Sequence, residues 1–157
     1  MTRRKKWFWG VMAVVWAGII FACSNGVVLW RDFVRFMGRL VPGPNGEARF
    51  EAFWEKWWWL PTKGFHVMEF ALLTYLTCLG LRKWKSEWPL RTVLIVSSFL
   101  GLLYACADEF HQTFIPQRGG RLTDVLIDLI GVSLAVGIFA WRSRSYQPQL
   151  KPASETK

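Results

Sequence analysis

Three stretches of this sequence carry ionisable side chains at helical spacing inside or beside apolar runs. Lys63-Gly64-Phe65-His66-Val67-Met68-Glu69 places His66 and Glu69 three apart, on one face of a helix. Asp108-Glu109-Phe110-His111-Gln112 places Asp108 and Gln112 four apart, and Asp124 and Asp128 repeat that spacing. Ser24 and Asn25 close an earlier apolar run. An imidazole titrates near neutrality and a carboxylate in apolar surroundings can be tuned to do so, which suits His66 or Asp108 to general acid-base work. His66, Glu69, Asp108 and Asp128 also form a nitrogen and oxygen donor set for Zn or Mn. Those ligands must converge from separate segments, and no HExxH-like spacing, Ser elbow or Cys-His pair is present, so neither a metal nor another cofactor is assigned. Arg118 and Arg121 can hold a phosphate or carboxylate, Arg118 bidentately if its fork faces the site. Lys63 and Asp124 complete the charged set.

What positions these residues is hydrophobic helix. The chain of 157 residues is 52% hydrophobic, with 11 Trp and 12 Phe, more than a soluble domain of this size carries. Four apolar runs stand out, at about 7–30, 65–81, 92–107 and 122–141. The first and last meet the roughly 20 residues needed to cross a bilayer, and the middle two are short, so their polar flanks are expected to enter the membrane ends. The expected fold is all-α: a four-transmembrane-helix bundle over 1–145, with a disordered tail over 146–157 lacking any periodicity. A soluble bundle of apolar helices is the alternative. Ile20-Phe21-Ala22-Cys23 imitates a lipoprotein cleavage box, but Phe21 is bulky for it and apolar character continues to Trp30, which favours a retained span.

The net charge of +9 does not imply nucleic acid, because the basic residues flank the apolar runs and form no stripe. They set orientation instead. Arg3, Arg4, Lys5 and Lys6, then Arg82, Lys83, Lys85 and Arg91, then Arg142, Arg144, Lys151 and Lys157 share one side with only Glu87 and Glu155. That side is expected to be cytoplasmic, with both termini, in a bacterial plasma membrane. All the candidate site residues then gather at the opposite, outer face.

Between the first two spans, Trp30, Phe33, Val34, Met37, Leu40 and Val41 oppose Arg31, Arg35 and Arg39 at helical spacing. After Pro42-Gly43-Pro44-Asn45-Gly46, the residues Phe50, Phe53, Trp54, Trp57 and Trp58 oppose Glu47, Glu51 and Glu55. This reads as a Trp-rich amphipathic helical hairpin in the outer interface, an anchor or a lid. Cys23, Cys78 and Cys106 are odd in number and form no disulfide or zinc framework, so they read as small buried hydrophobes.

Charged groups at membrane depth are costly, and four spans bringing them to one level is more than packing requires. For single pairs a structural reading remains open: Asp or Glu paired across helices with Lys63, His66, Arg118 or Arg121, and Ser24 and Asn25 as interhelical ties. His111 reads as a solvated or headgroup contact.

The stretches KGFHVMEFALL and YACADEFHQTFIPQRGGRLTDVLIDLIGVSLAVG resemble the VanZ-like family of small bacterial membrane proteins. Its pattern is Lys-x-x-His-x-x-Glu-Tyr, then Asp-Glu-x-x-Gln-x-Phe-x-Pro-x-Arg, then Asp-x-x-x-Asp followed by Gly. Phe70 stands for the usual Tyr, Gln117 for a common Gly, and Asn25 for a Gln in the first span. The resemblance carries the motif to His66, Glu69, Asp108, Glu109, Gln112, Arg118, Asp124 and Asp128, and implies a cell-envelope role, because the namesake is linked to teicoplanin resistance. It implies no reaction.

The leading functional expectation is a site facing out of the cell that binds membrane lipids, such as a lipid-linked envelope precursor, or a lipoglycopeptide. His66, Glu69, Asp108, Glu109 and Asp128 would do any chemistry, and Lys63, Gln112, Arg118 and Asp124 would hold the ligand. A transporter is the alternative, weakened because the inner halves offer only Thr74, Tyr75, Thr77, Ser97 and Ser98. A membrane adaptor is a third.

Overall fold

The computed structural model describes residues 3–25, 30–116 and 118–145. The expected tail from 146, residues 26–29 of the first apolar run, and Gln117 lie outside the described residues. Within them the chain is all helical: α1 (Arg3–Asn25), α2 (Trp30–Leu40), α3 (Gly46–Trp57), α4 (Trp59–Trp84), α5 (Leu90–Gln112) and α6 (Leu122–Ser145). Helices α1, α4, α5 and α6 are long and apolar enough to cross a membrane. Their exteriors stay apolar where a soluble protein would be polar: Val14 is 74% exposed, Phe99 63% and Leu122 77%. This rules against the soluble bundle.

The two short apolar runs sit in longer helices. α4 has 26 residues and α5 has 23, roughly 39 and 35 Å at 1.5 Å per residue, because both continue into their polar flanks. Thus Lys63 and His66 lie in the first turns of α4, and Asp108, Glu109 and Gln112 in the last turns of α5. The first span differs from expectation at its end: α1 is described as far as Asn25, and Trp30 belongs to α2.

The hairpin forms as its pattern predicts. Phe33 of α2 packs on Phe50 and Trp54 of α3 at centroid distances of 6.1 and 4.8 Å, and the turn between them places Asn45 in the left-handed region at φ 62°. α2 and α3 pack mainly on each other. The join to α4 is a single residue, Trp58, with helical φ and ψ. Pro61 follows in the first turn of α4, where its missing N–H leaves the Trp57 carbonyl without its helical donor, and α3 ends at that residue.

α4 is the centre of the bundle, packed on α1, α5 and α6. Buried Ile20, Phe70, Leu73, Ala105, Val125 and Val132 form the core. α4 and α6 start at the same end and run parallel, touching most closely at Gly131. A β-carbon there would overlap the Val67 carbonyl oxygen and lie 3.0 Å from the Ala71 nitrogen, so only glycine allows this approach. Of the three cysteines, which are unpaired, only Cys78 is buried; Cys23 and Cys106 are exposed on the apolar exterior, which corrects the expectation for those two.

Candidate functional site

Because α4 and α6 are parallel and each advances one turn per step, their motifs meet rung by rung. Lys63 Nζ donates to Asp124 Oδ1, and one turn deeper His66 Nδ1 lies 3.1 Å from Asp128 Oδ1. Asp128 is fully buried and His66 half-buried. The two ladders are the spacing seen in the sequence, Lys-x-x-His on one helix and Asp-x-x-x-Asp on the other.

α5 enters from the opposite direction. Asp108, 5% exposed, accepts from Ser24 Oγ at 2.6 Å through Oδ1 and from Gln112 Nε2 at 2.8 Å through Oδ2. The Gln112 bond realises the spacing of four, and the Ser24 bond ties α1 to the cluster. Next to it Glu109, 4% exposed, accepts through Oε2 from the Arg121 backbone N–H at 2.9 Å. Gly120 makes that contact possible, since a β-carbon at 120 would run into the Glu109 carbonyl oxygen. Glu69, 6% exposed, lies within electrostatic reach of His66, Asp108, Asp128 and Arg118.

All nine residues singled out in the sequence therefore reach one end of the bundle, but the partners differ in part from those expected. Lys63 and His66 pair with carboxylates as foreseen. Asp108 is held by a hydroxyl and an amide, and Arg121 meets Glu109 through its backbone. Arg118 Nη2 donates to the Cys23 carbonyl at 3.2 Å, capping the exit of α1. His111 stays partly exposed, and its Nε2 lies 3.1 Å from Asn25 Oδ1 while its ring packs on Phe21 at 4.8 Å, so it also joins α5 to α1.

Two positioning residues have no signal in the sequence. Trp16 Nε1 donates to the Glu69 carbonyl at 3.0 Å, and Tyr104 Oη donates to the Ala17 carbonyl at 2.6 Å. Both sit in apolar stretches, where an aromatic residue reads as packing, yet their polar tips fix α1 against the cluster.

Metal-ligating geometry exists in a set other than the donor set weighed from the sequence. One ring nitrogen of His66, one oxygen of Glu109 and one of Asp128 all lie within 4.8 Å of one another. The Glu69 and Asp108 of the donor set weighed are not in this group, because Glu109 and not Asp108 turns toward the α4–α6 ladder. Glu109 Oε1 and Asp128 Oδ2 are buried with no hydrogen-bond partner among the described residues.

Beside the polar cluster, α1 and α5 diverge over the surface of α4. The cleft they leave is an apolar groove of about 790 Å³, running from Trp7 and Trp84 at one end to Ala17, Tyr104 and Ala107 at the other. Trp7 and Trp84 pack at 5.7 Å across the far end. The near end stops at the cluster, one residue from Asp108.

Four apolar helices, long enough to span a bilayer, with a carboxylate-rich cluster at one end define the class: a multi-span membrane protein with a buried polar cluster. The VanZ/LLP1 family model matches residues 8–143, and the chain belongs to that family. No curated protein and no solved structure matches it.

Proposed function

We propose that the chain binds a membrane amphiphile, with the hydrocarbon tail in the α1–α5 groove and an anionic headgroup at the cluster around Arg118, Lys63 and Arg121. The observation that carries this reading is continuity: the groove's polar end is lined by Tyr104 and Ala107, and Ala107 adjoins Asp108 of the cluster. A volume of about 790 Å³ is in the range of ligand sites. It lies between helices whose outer faces are apolar, so a lipid enters sideways without crossing water.

The distribution of Lys and Arg supports a cluster facing out of a bacterial plasma membrane, with both termini cytoplasmic. Lipid-linked envelope precursors and lipoglycopeptides are among the long-tailed anionic amphiphiles found there, and a chain that sequesters or modifies one would alter tolerance to glycopeptides such as teicoplanin. His66, Glu69, Asp108, Glu109 and Asp128 are the groups placed to act on a bound headgroup, and Lys63, Gln112, Arg118 and Asp124 to position it.

Transport of ions or small solutes is disfavoured by what lies beneath the cluster. Thr77 and Ser98 donate to carbonyls of their own helices, Leu73 and Leu94, at 2.8 and 2.9 Å. Thr74 and Ser97 are fully buried, and the side-chain oxygen of each lacks a hydrogen-bond partner among the described residues, so the two do not extend the cluster inward as a hydrogen-bonded path.

The test uses the full chain in nanodiscs with two probes, a polyprenyl phosphate and the matching uncharged polyprenol. The phosphate is expected to bind at least tenfold tighter. Ala13→Trp, which fills the groove, is expected to weaken both probes, and Arg118→Gln only the phosphate. Equal affinity for the two probes, or undiminished binding by Ala13→Trp, overturns the reading.

A further inference from the structure

We propose that His66, Glu109 and Asp128 bind one divalent transition-metal cation, of the Mn(II) to Zn(II) class. The three residues come from α4, α5 and α6, and their ligand atoms lie within 4.8 Å of one another. Around a tetrahedral ion with bonds of about 2.1 Å, neighbouring ligands sit roughly 3.4 Å apart, so small rotamer adjustments close the set.

The second observation is independent of that spacing. Each carboxylate uses one oxygen and leaves the other unmatched. Glu109 Oε2 takes the Arg121 N–H and Asp128 Oδ1 faces His66, while Glu109 Oε1 and Asp128 Oδ2 are buried without a partner. Buried polar atoms are nearly always paired, and two orphans in the same three residues that converge point to an absent bonding partner. One cation bonded to both oxygens satisfies the two orphans together.

The donor set selects the ion. One imidazole nitrogen with two carboxylate oxygens suits Zn(II) and Mn(II); Ca(II) takes six to eight oxygens, and there is no thiolate for a softer metal. The outer contacts fit as well, since the Arg121 N–H orients Glu109 as second partners orient metal ligands. Three protein ligands leave a coordination position open, for water or for an oxygen of a phosphate or carboxylate. The site needs no amphiphile to form.

The experiment titrates MnCl2 and ZnCl2 into the chelator-treated full chain in detergent. Bound metal is read by mass spectrometry after desalting, and thermal unfolding is followed in parallel. About one ion per chain is expected, together with a melting temperature that rises with metal concentration, as binding to the native state requires. Glu109→Gln and Asp128→Asn, which keep side-chain volume, are expected to weaken binding more than tenfold, and Glu55→Gln on the distant α3 to leave it unchanged. No stoichiometric ion in the wild type overturns the proposal, whatever the variants do. So does retention of the ion at wild-type affinity by a folded Glu109→Gln or Asp128→Asn.

Discussion

Gly131→Ala adds one methyl group at the closest approach of α4 and α6. The added carbon overlaps the Val67 carbonyl oxygen and lies 3.0 Å from the Ala71 nitrogen and 3.1 Å from the Val67 carbonyl carbon. These are backbone atoms and cannot swing aside, so the helices must part by about an ångström, and overpacking of this kind costs about 1–3 kcal/mol. The better helix propensity of Ala offsets about 0.5–1 kcal/mol of that. The expected net loss is therefore about 0–2.5 kcal/mol, centred a little above about 1 kcal/mol. Gly137, nearly two turns further along α6, has nothing within 4 Å of its added carbon, so Gly137→Ala keeps only the propensity gain and has the opposite sign. The separation also reaches the site. Val67 adjoins His66, and Gly131 is one turn from Asp128, so the 3.1 Å contact between them stretches beyond hydrogen-bond length. Thermal unfolding of both variants in one detergent, with Mn(II) retention on each, measures both effects. If Gly131→Ala melts at or above the wild type and keeps its metal, the close approach of α4 and α6 is not what holds the cluster.

Three other outcomes follow from the same geometry. His66→Ala removes the one hydrogen-bond partner of a fully buried carboxylate and is expected to cost about 3–5 kcal/mol; adding Asp128→Asn should recover part of it, and a double variant no more stable than the single would refute the pairing. Reporter fusions after Lys85 and Arg144 are expected to report cytoplasm and one at Gly119 the outer side, and a cytoplasmic signal at Gly119 would place the cluster in the wrong compartment for an envelope ligand. Cleavage at Cys23 would remove Trp16, Ala17 and Ile20, which pack against α4 and α5, so intact-mass measurement should find the amino-terminal segment attached and no acyl mass on Cys23.

The membrane helices were legible because they rest on composition. A run of apolar residues flanked by charge needs no partner to be recognised, and the hairpin's two faces show in the spacing of Phe33, Phe50 and Trp54 against their charges. Which residues share the site was legible for the same reason: polar groups at membrane depth are few, and helical periodicity puts them on common faces. Their partners were not, because pairing depends on how neighbouring helices are rotated and offset. Asp108 and Glu109 are adjacent in sequence and so point about 100° apart on α5. One faces Ser24 on α1, and the other faces the ladder of α4 and α6. No spacing rule tells which does which, so the sequence suggests Asp108 as the metal ligand where the structure offers Glu109. Trp16 and Tyr104 went unseen because their hydrogen bonds end on backbone carbonyls, which every residue has.

Charge balance ties the groove to the metal site. Glu69, Asp108, Glu109, Asp124 and Asp128 outnumber the permanent cations Lys63, Arg118 and Arg121 at this end of the bundle. With all five ionised such an excess opposes an anionic headgroup, and Lys63, Arg118 and Arg121 offset only part of it. The divalent cation proposed at His66, Glu109 and Asp128 would cancel the excess at those residues. Three protein ligands would also leave one coordination position for an oxygen of a ligand. The carboxylates that make the cluster look unsuited to a phosphate are then what makes it selective for one: a headgroup oxygen completes the metal's coordination, and a neutral headgroup gains nothing comparable. The tail in the groove supplies affinity shared by every lipid of that length, and discrimination falls to the polar end.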